Sequence, residues 1–218
     1  MGSSFATARR SPPRGLSARP IDDGDLATLV RVGMARRVPV AEDPWGMVVV
    51  RSDVAREALT DLVRRGAEEV AALRRPCPPD ADAALHRDWC RIHAEAEIAE
   101  VLRAPVWLCA FLGPGPGGPE PRAAHSLALA VETLAIAAAV MGMRAISTIR
   151  HLRHEVDVRS LLGLPLDVMP DVAVAVGYPA GGHAGTPGRG ARAARAEEVE
   201  GSRPPVFAER YGGPALGR

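Results

Sequence analysis

Asp171-Val172-Ala173-Val174-Ala175-Val176-Gly177-Tyr178-Pro179 is the stretch on which the fold turns. β-Branched residues at every second position, closed by Gly-Tyr-Pro, make it the clearest strand in the chain. Upstream lies Leu162-Gly163-Leu164-Pro165, a helix stop and link, so a short helix is expected over residues 156–162. Residues 145–149 read as a further strand. Before them comes the most apolar segment, residues 123–143. It has nearly the length of a membrane span. Glu132 at its middle and eight alanines favour a central helix buried in a core or at a dimer interface.

Farther upstream the alternation of elements continues. Ala104-Pro105-Val106-Trp107 opens a strand expected over residues 104–111, and Met47-Val48-Val49-Val50 lies in another over residues 46–51. Helical periodicity covers residues 21–34, with Asp22 and Asp23 at the cap and Leu26, Leu29, Val30 and Gly33 on one face. It also covers residues 52–75, capped by Ser52 or Asp53, and residues 81–102. Pro76-Cys77-Pro78-Pro79 separates the last two. The Gly/Pro run over residues 113–121 is a loop. Strands interleaved with helices predict a layered sandwich, one sheet covered on both faces. Residues 1–200 form one domain. Residues 201–218 are an extended or disordered tail with too little apolar content for a core of its own.

Composition narrows the chemistry. The 218 residues carry a net charge of +1, so nothing draws the whole molecule to nucleic acid or to an anionic membrane. There is no Lys, Asn or Gln, and all 27 fixed cationic side chains are Arg. Schiff-base catalysis on a lysine is therefore excluded. Cys77, Cys90 and Cys109 have no paired spacing, which argues against a disulfide framework and a structural zinc. The first 14 residues lack the apolar stretch of a signal peptide, and a cytoplasmic setting is expected.

Several local patterns invite chemistry. Arg9-Arg10-Ser11 offers two guanidiniums and a hydroxyl to a phosphate. His151 and His154 with Glu155 lack the spacing of a zinc helix and read as polar surface. Cys90 and His93 are not shown to be a pair by spacing, and Trp89 and Trp107 read as core.

The order of these features resembles the nitroreductase flavoprotein family. Arg9-Arg10-Ser11 stands near the start, and Arg19-Pro20-Ile21-Asp22-Asp23 leads into a capped helix. Pro44-Trp45 precedes the Val48-Val49-Val50 strand, and Ala104-Pro105 opens the next. Gly142-Met143-Arg144 follows the alanine-rich helix, then come Leu162-Gly163-Leu164-Pro165 and Gly177-Tyr178-Pro179. A basic stretch before Glu197-Glu198-Val199 closes the series. The resemblance implies an α+β three-layer sandwich with a central, mostly antiparallel sheet flanked by helices, assembled as an intertwined homodimer. It implies FMN as cofactor and an oxidoreductase passing hydride from NAD(P)H through the flavin to a small organic acceptor. Arg9, Arg10 and Ser11 would hold the FMN phosphate with Arg192, for which Arg189 and Arg195 are close rivals. Gly142 would let the backbone approach the flavin.

The chain departs from the family pattern at Pro13, Ala41 and Arg144, where a cation, an Asn and a Gly are usual. Related readings are an oxygen-using or flavin-consuming enzyme, and a catalytically silent ligand-binding homologue.

Overall fold

The computed structural model describes residues 15–35, 45–78, 80, 82–115, 119–181 and 205–215. Five strands form one sheet in the order β3-β4-β2-β1-β5: β1 (Trp45–Val50), β2 (Val106–Leu112), β3 (Arg144–Thr148), β4 (Met169–Gly177) and β5 (Val206–Ala208). Three neighbouring pairs run antiparallel, and β5 runs parallel to β1 with Met47 opposite Val206. The five helices are α1 (Asp23–Ala35), α2 (Asp53–Arg74), α3 (Ala83–Ile98), α4 (Pro121–Val140) and α5 (Glu155–Leu162). A 3₁₀ turn (Arg150–His154) leads into α5.

The strands read as continuous apolar runs because helices cover both faces of the sheet. In β2, Val106, Leu108, Ala110 and Leu112 point into the layer formed by α1 and α4. Trp107, Cys109 and Phe111 point the other way, against α2, α3 and α5. The 171–178 alternation has the same cause. Val174 and Val176 face the α1/α4 layer, while Ala173 and Ala175 face the other. Ala175 lies opposite Trp107 and Ala173 opposite Cys109, so small residues make room for a large one. Burial on both sides pushes the Cys109 thiol far up, which keeps it protonated and inert.

Local signals place most of the helix ends. Asp22 accepts the Gly24 N–H at 2.8 Å at the head of α1, and Asp82 accepts from Ala84 at 2.7 Å at the head of α3. Gly33 on α1 sits against Leu134 on α4, where a methyl would come within 3.1 Å of the Leu134 Cβ. α5 ends at Gly163, φ 67°.

Three expectations are corrected. α4 is central but not buried all round: Leu127, Ala130, Leu134, Ala137 and Ala138 pack inward. Leu129, Ile136 and Val140 stay 50%, 66% and 57% exposed. His151 is not surface but 1% exposed, with no partner for its Nδ1. Trp89 is only half-buried, unlike Trp107.

Residues 205–215 join the sheet and hook back. Glu209, at φ 63°, accepts the Arg51 and Ser52 N–H groups at 2.9 and 3.0 Å and the Ser52 hydroxyl at 2.8 Å. Ser52 holds the cap position of α2 without capping it through its own side chain. A carboxylate from the far end of the chain instead clasps the two residues that lead into the helix, near the positive end of its dipole.

Candidate functional site

Arg144 at the start of β3, Gly177 at the end of β4 and Val106 at the start of β2 all lie at one end of the sheet. Two connections make that end special. α4 stops in a Schellman turn: the Gly142 N–H donates to the Ala139 carbonyl at 3.1 Å and the Met143 N–H to Ala138 at 2.8 Å. Gly142 takes φ 75°, a conformation L side chains rarely adopt, so the turn presents bare backbone.

The second connection is a strap, residues 15–17. The Leu16 N–H donates to the Glu100 carbonyl at 2.8 Å, Ser17 to Tyr178 at 2.8 Å, and Ala180 to Gly15 at 2.7 Å. Gly15 allows the approach, since a Cβ there would stand 2.7 Å from the Ala99 carbonyl oxygen. The Glu100 side chain accepts from Arg144 Nη2 at 3.0 Å, with both side chains about one-third exposed. Arg144 and the strap are thus joined through one residue of the α3–β2 link.

Beside the strap, Tyr178 donates its hydroxyl to Asp25 at 3.3 Å, and the Arg19 guanidinium lies 4.1 Å above its ring. Burial, reinforced by Asp25, pushes the Tyr178 phenol up, so it stays a donor at neutral pH.

Of the expected cofactor residues, Gly142 lies in this region. Arg9, Arg10, Ser11 and Arg192 lie outside the described residues, as do Pro13, Ala41, Arg189 and Arg195. The strap, the Glu100–Arg144 pair and the Tyr178–Asp25 bond were not read from sequence, because each joins residues far apart in the chain.

Other clusters do not form a second reactive centre. Cys90 pairs with His86 rather than His93, Sγ to Nε2 at 3.6 Å, while His93 Nδ1 lies 2.8 Å from the Trp89 carbonyl. Among the described residues no group of three or more His, Cys, Asp or Glu side chains could hold a metal ion.

An α+β sandwich with a five-stranded, mostly antiparallel sheet, whose end is crossed by an amino-terminal strap, defines a recognised class. A sequence profile described as "Nitroreductase family" matches residues 6–178, and the chain belongs to the nitroreductase family. The fold is shared with a nitroreductase family protein from Clostridium novyi NT at 15% identity and TM-score 0.57, covering 94% of this chain and 92% of that one. It is also similar to the FMN and NADPH-dependent nitroreductase NfnB from Sphigopyxis sp. strain HMH, with 18% identity, TM-score 0.54 and coverage of 83% and 89%. A third likeness is to the FMN-dependent nitroreductase NfnB from Mycobacterium smegmatis in complex with NADPH, at 15% identity, TM-score 0.54 and coverage of 78% and 84%. No curated protein matches the chain. FMN is the cofactor of this family.

Proposed function

We propose that the chain is an FMN-dependent oxidoreductase that passes hydride from NAD(P)H to a small organic acceptor, acting as a cytoplasmic homodimer. The observation that carries this reading is the family match over residues 6–178, which spans both Arg9-Arg10-Ser11 and the Gly142 turn. Bound FMN supplies the hydride-accepting and hydride-donating centre. The protein's part is to bind and orient it.

Arg9, Arg10 and Ser11, with Arg192, grip the phosphate; guanidinium forks and a hydroxyl match its oxygens. The described residues fit the ring side in one respect. The left-handed Gly142 turn carries no Cβ, and bare backbone suits the close approach of a planar ligand. The homodimer is supported by the outward face of α4, where Leu129, Ile136 and Val140 form an apolar stripe too large to leave in water without cost.

Purified protein is expected to be yellow, or to become so with FMN, and to oxidise NAD(P)H. A colourless product that stays free of flavin after incubation with FMN refutes the reading. A second reading, a silent ligand-binding homologue, draws on Arg144. Where the family has glycine, this side chain is engaged with Glu100. Flavin-loaded protein without NAD(P)H turnover would select it.

A further inference from the structure

A groove of about 420 Å³ opens between the first half of α2 and the link from α3 to β2. Its α2 wall carries Glu57, Asp61 and Arg64, which share one helical stripe at steps of four and three residues. The facing wall holds Leu102, Arg103 and Pro105. Behind them the floor is fixed: the Thr60 hydroxyl donates to the Arg56 carbonyl at 2.8 Å and accepts from the Trp107 indole at 3.3 Å.

Most of the charge in the groove is already matched. Arg64 binds Asp61 and Glu68, Arg65 also binds Asp61, and Arg56 binds Asp53. These contacts hold the Asp61 carboxyl below its ordinary range, with the Arg64 hydrogen bond the largest cause. Two charges are left over. Among the described residues neither the Glu57 nor the Arg103 side chain makes an ion pair or a hydrogen bond, although both line the same groove. Both side chains are exposed, Glu57 on α2 and Arg103 on the α3–β2 link.

A ligand that carries both charges would engage both side chains at once. We propose that the groove is a binding site for a small zwitterion, an α-amino acid with an apolar side chain. The ligand carboxylate meets the planar donor fork of Arg103, and its ammonium meets Glu57. The apolar side chain lies on Leu102, which is 41% exposed, and on Pro105. A polyanion such as a phosphate ester is disfavoured, since it would face Glu57 and Asp61 across the groove. This site uses none of the residues assigned to the flavin.

The test is calorimetric titration of the full chain with L-leucine, N-acetyl-L-leucine and L-leucinamide. Leucine is expected to bind saturably, and blocking either charged end is expected to weaken binding about tenfold or more. R103E and E57R should each weaken leucine binding to the same degree. Both side chains are exposed, so each variant should melt with the parent. The double variant E57R/R103E, which exchanges the two charges, should recover binding. Equal binding of the three ligands overturns the proposal, as does parent-like binding by the single variants or the absence of saturable leucine binding.

Discussion

His151 sits in the 3₁₀ turn between the sheet and α5, closed off by α2, and burial drops its imidazole to about 4 from an ordinary 6.5. Its charged neighbours are engaged elsewhere: Arg150 with Glu97, Arg153 and His154 with Glu69, and Arg65 with Asp157. The folded protein therefore holds His151 neutral, whereas the unfolded chain protonates it near 6.5. Its contribution is fully present above about pH 6.5 and is lost as pH falls from there toward 4. The loss amounts to about 3 kcal/mol at the acid end. Chemical denaturation across this window should show the slope in the parent, and His151→Leu should flatten it. An unchanged slope in the variant would assign the acid sensitivity elsewhere. Close by, Gly66 lets α2 touch the turn, for a Cβ there would stand 1.9 Å from the Arg150 carbonyl oxygen. Gly66→Ala must push the two apart and should cost about 3 kcal/mol, lowering Tm by roughly 6–12 °C. A Tm within two degrees or so of the parent contradicts this contact.

Elements show where sequence and structure part. Nine strands and helices sit within a few residues of where the sequence places them, because an apolar face must be covered whatever covers it. The 171–178 run reads as a strand from its alternation. That alternation is between Val and Ala rather than apolar and polar, a consequence of helices on both faces. α2 shows the opposite case. Ser52 looks like its cap, yet its hydroxyl is turned to Glu209, which is 157 positions away. Nothing local in Val206-Phe207-Ala208 marks a strand, since three residues carry no usable period. β5 forms because β1 offers it an edge, and Phe111, Phe207 and Tyr211 stack where it docks. Glu209→Ala should cost about 1–2 kcal/mol and speed amide exchange at Arg51 and Ser52, leaving α3 protected. Parent-like exchange at both amides would show that this clasp is not formed in solution.

At the scale of the molecule, one face is left over. α4 buries one side against the sheet and α1, and its other side keeps Leu129, Ile136 and Val140 outward. By length and composition this helix could also cross a membrane, but its inward side is part of the core. A homodimer seated on that stripe follows from the proposed function. Light scattering should give twice the chain mass, and Ile136→Glu should shift it toward the monomer. If FMN lies between subunits, the same change should release flavin, visible as a loss of yellow colour on gel filtration. A monomeric parent would remove the dimer from the proposal while leaving the FMN titration to be decided on its own.

The sequence by itself determined the layered architecture and the family, because periodicity, turn residues and their order are written along the chain. It pointed to Gly142 through the family resemblance, and the structure adds that this glycine takes a left-handed turn after α4. The tertiary structure decided the rest: the Glu209 clasp on Arg51 and Ser52, the buried His151, the strap over Glu100, and the groove shared by Glu57 and Arg103. Each depends on which distant residues meet when both faces of the sheet are covered, and no local pattern encodes that meeting.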